Sequence, residues 1–371
     1  MSCTTEALVV DSAGADPQLK TVSLGPLQDK EVLVEIHATG ICHTDIACME
    51  GKLPAEFPSI LGHEGAGVVL NVGQNVSDVQ VGDKVLISYS FCGNCPQCTS
   101  EHPAYCQNMV QMNFGGKRLD GTRTISLPND PTRDVFANFF GQSSLSRIAL
   151  VNQSSLVPVP ASTPLELFAP LGCGLQTGAG AILNTLKVKP GSSVAVFGAG
   201  CVGLSAIMAA KVRKAEIIVA VDLQPARLEL AKELGATHTF LGTDPNLAER
   251  IRELREPGMD FALDCSGAPA VIETMIDCLG IRGRGASVGA PAPGRKVGVD
   301  VFAHLTMGKE YVGCHQGDST PREMIPSLIQ QNEKGMFPLE KMVEYYDVRN
   351  YPQAFEDMKK GRVIKPVLRW F

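Results

Sequence analysis

The feature that most restricts this chain's fold is a glycine-rich turn set between a short apolar strand and an apolar helix. Ser193-Val-Ala-Val-Phe197 is a short, mostly apolar run rich in valine, the pattern of a strand buried on both faces. Gly198-Ala-Gly200-Cys201-Val202-Gly203 follows at once, and Leu204-Ser-Ala-Ile-Met-Ala-Ala-Lys then reads as a helix. A second strand, Ile217-Ile-Val-Ala-Val221, ends on Asp222, an acid 19 residues beyond the last glycine. In that setting the glycines let the backbone approach a pyrophosphate, which rests on the helix N-terminus, while the acid meets the ribose hydroxyls of an adenosine. Gly198, Gly200, Cys201, Val202, Gly203 and Asp222 are therefore the candidate dinucleotide residues. Asp222 would repel a 2′-phosphate, which favours NAD over NADP, whereas the nearby Arg227 could meet such a phosphate and blur that preference.

The alternation continues downstream. Helices are expected over 225–234, 246–255 and 271–279, with strands over 261–265 and 286–289. Strand–helix alternation of this length means a parallel sheet with helices on both faces, a doubly wound α/β domain spanning 175–313. A chain of 371 residues exceeds what one core usually serves, so a second domain is expected. Residues 6–12, 31–38, 68–70 and 81–87 supply it as short strands separated by Gly and Asn turns, a barrel-like β domain. Helices near 322–333 and 353–360 and a strand over 364–370 are too little for a third domain. They are expected to return to the first, giving one domain from 1–174 and 314–371 with the nucleotide domain inserted.

Twelve cysteines are many for a reducing compartment, and four fall in one window, Cys92-x2-Cys95-x2-Cys98-x7-Cys106. Two-residue gaps let neighbouring thiolates converge on one tetrahedral Zn²⁺, and four thiolates leave no open position, so such a metal would hold the loop and do no chemistry. An iron–sulfur cluster or reduced structural thiols are the alternatives. From Gln107 to Leu145 the chain is polar and rich in Gly and Pro, which reads as a long surface excursion. Cys201, Cys265 and Cys278 sit in apolar contexts and read as packing residues; read alone, so does Cys173, which lies between glycines.

A net charge of −6 without any Lys/Arg-dense run argues against nucleic acid and anionic membranes as partners. The first residues lack a basic and apolar leader, and the longest apolar stretch, Leu167–Leu183, is broken by Pro170, Gln176 and glycines. The C-terminal Arg-Trp-Phe matches no address signal, so a cytoplasmic enzyme is the expectation.

With these parts in hand, Gly62-His63-Glu64-x2-Gly67-x5-Gly73-x2-Val76 resembles the signature of the zinc-containing alcohol dehydrogenases of the medium-chain dehydrogenase/reductase family. The resemblance spans essentially the whole chain and implies a GroES-like β-barrel catalytic domain beside a Rossmann coenzyme domain. It implies two zinc ions per chain. Cys42, His63 and Cys173 match the three catalytic-zinc ligands, which reverses the packing reading of Cys173; a Cys₂His catalytic site is itself the standard example from alcohol dehydrogenase. Glu64 matches a carboxylate beside the metal, Asp45 the acid that orients the ligand His, and Thr44 the hydroxyl that takes the alcohol proton. Thr177 matches a residue beside the nicotinamide, and His43 and Lys365 match groups directed at the pyrophosphate.

One departure matters. Many members carry a proton-relaying His where this chain has Ala47. Its loss, together with Gly313-Cys-His-Gln-Gly-Asp-Ser and Lys334-Gly-Met-Phe-Pro-Leu-Glu-Lys, is similar to the aryl and allylic branch, the benzyl- and geraniol-type enzymes. That branch implies NAD-linked oxidation of a primary aromatic or allylic alcohol, and the full-length excursion resembles dimeric rather than tetrameric members. The alternatives inside the class are a glutathione-dependent formaldehyde dehydrogenase, which would aim Lys117, Arg118 or Arg123 at the glutathione carboxylates, and a polyol or secondary-alcohol dehydrogenase. Outside it stand a zinc-free quinone reductase-like protein and a non-catalytic NAD-binding protein.

Overall fold

The computed structural model describes residues 4–130 and 132–370, so Met1–Cys3, Pro131 and Phe371, which enter the readings of the N-terminus, the excursion and the C-terminal tripeptide, lie outside the described residues. The chain divides into two compact units. One comprises Met1–Cys173, Thr320–Ile329 and Leu339–Phe371; the other comprises Gly174–Ser319 and Gln330–Pro338. The segments Cys314–Ser319 and Gln330–Pro338, expected with the first domain, thus group with the second. For the former the reason is close packing: a Cβ on Gly180 would fall 2.3 Å from the Gly317 carbonyl oxygen, so this corner rests directly on the helical turn Gly174–Gly180.

The first unit is built on a mostly antiparallel sheet. Its central strand, Glu31–Gly40, pairs with Gly65–Val72, with Ile148–Asn152 and with the late strand Lys365–Arg369. Lys84–Ile87 and Leu156–Val159 extend one edge, and Val343–Asp347 extends the other in parallel with Lys365–Arg369. The alternating apolar residues that announced these strands point to one core: Val34, Ile36, Val69, Val85, Ile87 and Leu368 are 0–1% exposed. Side chains of this size contribute roughly 1.5–3 kcal/mol each when fully buried. Thr4–Val9, Gln18–Leu24 and Ile125–Ser126 form a smaller sheet beside it.

The long excursion is not wholly a surface feature. It contains the helix Met109–Phe114, and its far end turns inward: Phe139, Phe140, Gln142, Ser143, Ser144 and Leu145 are all at most 3% exposed.

The second unit is the expected parallel sheet, in the order His238–Leu241, Ile217–Asp222, Ser193–Phe197, Met259–Asp264, Leu279–Ser287, Glu310–Gly313. Ala195, Phe197, Val219, Val221, Met259 and Ala262 fill its core. The strand expected at 286–289 runs instead over Leu279–Ser287, a Gly- and Arg-rich stretch whose pairing shifts register between Met259 and Phe261. A helix with no counterpart in the sequence reading, Val301–Met307, is capped by Asp300 Oδ1 on the Ala303 N–H (3.0 Å). None of its residues is buried within this chain, and seven residues are too few for a helical period to stand out. Among the described residues no helix is long and apolar enough to cross a membrane.

Candidate active site

The candidate catalytic centre lies in the first unit, where the central strand runs out at Gly40. A Cβ there would fall 2.1 Å from Glu64 Oε2, so only glycine leaves room for that carboxylate. Cys42 then caps the short helix His43–Met49 with extended backbone, and the acid three residues on, Asp45, closes the turn: its Oδ2 accepts the Cys42 N–H at 2.9 Å. Its other oxygen reaches outside the helix. Asp45 Oδ1 accepts the Gly62 N–H and lies 3.0 Å from His63 Nδ1. Both Asp45 and His63 are 0% exposed. A carboxylate at Nδ1 holds the proton on that nitrogen and leaves the Nε2 lone pair for another partner.

That lone pair supplies the fit test for a metal. Nε2 of His63 is buried and makes no hydrogen bond. Cys42, His63, Glu64 and Cys173 each bring one donor atom, and these four atoms lie within 4.8 Å of one another. Two soft sulfurs and an imidazole are donors that suit Zn²⁺. The protonation pattern agrees. A hydrogen bond from Cys173 holds the Cys42 thiol well below its ordinary range against the burial that raises it, and the Cys173 thiol is correspondingly raised. A dication between the two sulfurs would bind both as thiolates.

Glu64 stands beside this cluster with both oxygens 2.9 Å from Lys365 Nζ, and the ammonium also donates to the Ile41 carbonyl (3.0 Å). Burial raises the Glu64 carboxyl to about 7 even against that charge. Lys365 was expected to face a pyrophosphate. In the structure it is 1% exposed and committed to Glu64, because the strand that carries it is stitched to the central strand within the sheet. Thr44 Oγ1 is 3.8 Å from Cys42 Sγ, Ala47 is half-buried on the same helix, and His43 is exposed.

Sequence reasoning missed the aromatic wall of this centre. Phe140 stacks on the His63 ring at 4.4 Å and 25°, Phe139 meets it edge-on at 5.4 Å, and Phe114 backs both. Asn-Phe-Phe-Gly at 138–141, an apolar pair inside a polar stretch, was the available signal.

The second candidate metal site is the cysteine loop. The Sγ atoms of Cys92 and Cys98, Cys95 and Cys98, and Cys95 and Cys106 lie 3.9, 3.5 and 4.0 Å apart. Four sulfurs about 2.3 Å from one zinc would stand roughly 3.8 Å apart, so the loop is already close to a tetrahedral cage. Backbone N–H groups of Cys92, Gln107 and Asn108 point at these sulfurs, and the Gln107 N–H lowers the Cys95 thiol to about 6.

In the second unit the glycine-rich turn has the geometry its sequence implied. A Cβ on Gly203 would fall 1.8 Å from the Gly198 carbonyl oxygen, so the helix Cys201–Val212 packs against the strand only because that residue is glycine. A Cβ on Gly200 would meet nothing, which leaves a cradle at the helix N-terminus. Asp222 accepts the Ala199 N–H (2.7 Å) and the Gln224 N–H (2.9 Å), and Arg227 Nη1 is 3.9 Å from its Oδ2. Carboxylate oxygens keep further lone pairs for a ribose. Thr177 is brought to this turn, since a Cβ on its neighbour Gly178 would fall 2.0 Å from the Val202 carbonyl oxygen.

A GroES-like domain carrying a buried Cys–His–Cys donor set, together with a dinucleotide unit, defines a metal-dependent oxidoreductase, and comparison with known proteins agrees. Residues 28–161 match the alcohol dehydrogenase GroES-like domain, and residues 201–332 match the zinc-binding dehydrogenase domain. Geraniol dehydrogenase of Castellaniella defragrans is 37% identical over 98% of this chain and 97% of its own length. S-(hydroxymethyl)glutathione dehydrogenase of a Synechocystis species is 34% identical over 99% and 100%. The crystal structure of benzyl alcohol dehydrogenase from Acinetobacter calcoaceticus superposes with a TM-score of 0.95 at 41% identity, covering 100% of both chains. The chain belongs to the zinc-containing alcohol dehydrogenases of the medium-chain dehydrogenase/reductase family, on their aryl/allylic branch, and it is an alcohol dehydrogenase.

Proposed function

We propose that this enzyme oxidises a primary alcohol bearing an aromatic or allylic group to its aldehyde, reversibly, with NAD. The observation that carries the reading is the unpartnered His63 Nε2 facing the Cys42 and Cys173 sulfurs beside a wall of phenylalanines. When bound, a zinc ion held by Cys42, His63 and Cys173 would polarise the alcohol oxygen, and a nicotinamide held beside Thr177 would take the hydride. Asp45 keeps the His63 proton on Nδ1 throughout. The Thr44 hydroxyl takes the alcohol proton, and with Ala47 on the helix behind it that proton passes to water. Glu64, paired with Lys365, supplies a carboxylate beside the centre whose charge is partly neutralised.

Support for the substrate class comes from two of the similar proteins, named for geraniol and benzyl alcohol and 37% and 41% identical, against 34% for the S-(hydroxymethyl)glutathione dehydrogenase. The formaldehyde alternative is weakened by its own candidate residues: Lys117 is held by Asp134 at 2.8 Å, Arg123 also pairs with Asp134, and Arg118 is buried against Glu31. NAD is favoured by Asp222 at the ribose position, with Arg227 the opposing group. A second zinc in the Cys92, Cys95, Cys98 and Cys106 cage completes two per chain. A cytoplasmic homodimer is the proposed state: among the described residues no cysteine is in a disulfide, and Val301, Phe302 and Leu305 expose 72–76% of their surface. Ethanol, benzyl alcohol and geraniol should be compared with NAD and NADP in parallel. The reading expects kcat/KM to be highest for benzyl alcohol or geraniol with NAD, and an ethanol optimum overturns it.

A further inference from the structure

His63 and Cys173 lie 110 positions apart, yet one buried line of hydrogen bonds runs between their segments. The Gly65 N–H donates to Gln142 Oε1 (3.1 Å), Gln142 Nε2 donates to the Ser88 carbonyl (2.9 Å), and the Ser88 hydroxyl donates to the Gly172 carbonyl (2.7 Å). One end stands two residues after His63 and the other stands immediately before Cys173. Gln142 is 1% exposed and Ser88 is 0% exposed, so water does not compete for these bonds.

The same inward-turned segment grips the histidine side along its length. Ser143 Oγ donates to the Ile60 carbonyl (2.6 Å), the Leu145 N–H to Leu61 (3.1 Å) and the Ser144 N–H to Gly62 (3.0 Å). Phe140, which stacks on the imidazole, has φ +52°, a conformation costly for an aromatic residue and kept only where the surroundings over-determine it. Loops seldom run through protein interiors, because their backbone groups are hard to satisfy there. This one does so directly against a candidate metal-ligand segment.

We propose that Gln142 is a positioning residue: its amide, acting through Ser88, sets the spacing of the His63 and Cys173 donors and so governs how firmly the catalytic metal is held. A primary amide suits the place because it must accept from one backbone and donate to another. Glutamate would lose the donor, and methionine would lose both functions at similar volume. The inference rests on the metal centre read above.

The test uses the full-length, zinc-loaded protein and follows zinc release to a chromophoric chelator, together with the ligand-field spectrum after cobalt substitution. Wild type should release two zinc ions per chain in two kinetic classes. In Gln142→Met and Gln142→Glu one class should leave roughly 10–100-fold faster, the scale seen when partners of metal ligands are removed. The cobalt bands should shift while the other class keeps its rate. Ser88→Ala should act in the same direction and Ser88→Thr, which keeps the hydroxyl, should restore the wild-type rate; this pair decides the matter if the Gln142 variants do not fold. Unchanged release and cobalt bands in folded Gln142→Met overturn the proposal, as does equal acceleration of both classes, which would mean general loosening. A wild-type protein holding a single zinc fails at the metal centre itself and is recognised before any variant is made.

Discussion

The two candidate metal centres of the first unit are assembled in opposite ways. The tetrathiolate cage draws every donor from one loop, Cys92 to Cys106, and steadies its sulfurs with the backbone N–H groups of that loop. The catalytic centre draws donors from positions 42, 63 and 173 and steadies them with side chains, Asp45 on the imidazole and Gln142 with Ser88 between the segments. A local centre needs little besides spacing. A dispersed one needs a scaffold of buried polar groups, and each member of that scaffold is a point at which it can fail without its ligands being touched.

The contrast can be broken most directly at the ligands. His63→Ala should lower kcat/KM by about 10³-fold or more, since polarisation at the metal is worth several kcal/mol. Zinc analysis should show one ion retained, and loss of both would mean the centres are not independent. Next comes the ion pair behind the site. Lys365→Met leaves the Glu64 carboxylate buried beside the donors without its cation, and breaking such pairs costs about 3–5 kcal/mol in stability. A denaturant midpoint unchanged from wild type would deny the pair that role. Asp45→Asn should reduce metal affinity or activity roughly 10–100-fold while leaving the cage zinc in place, measured by competition with a chelator. The smallest effect concerns the proton path. Ala47→His should speed single-turnover alcohol oxidation below neutral pH by about threefold to tenfold, the scale of roughly 1 kcal/mol. An unchanged pH–rate profile would mean another path already serves.

How much could be read beforehand follows the same division. The clustering of the four cysteines and the glycine turn were legible because both follow from short spacings, Cys-x2-Cys-x2-Cys and Gly-x-Gly-x2-Gly, whose geometry needs no distant partner. Cys173 was not, since a cysteine between glycines looks the same whether it packs or ligates, and only the family resemblance pointed to it. Gln142 and Ser144 read as surface because polar residues usually are; hydrogen bonds to Gly65 and Gly62 keep them inside, and composition carries no trace of such partners. The pairing of Lys365 with Glu64 was not legible, because the two stand 301 residues apart and neither position names the other. The helix Val301–Met307 escaped because seven residues are too few for a helical period to stand out.

The pairing of Lys365 with Glu64 also sets a timetable. Translation at about 5–20 residues per second takes roughly 15–60 s to cover the 301 residues between them. Over that interval the nucleotide unit is itself synthesised, while Ala38–Gly40 on the central strand still lacks its neighbour Val367–Arg369 and Glu64 has no cation beside it. The Glu64–Lys365 pair can therefore form only at the end of synthesis, and a nascent chain stalled before Lys365 would carry the candidate zinc donors and the nucleotide turn without it.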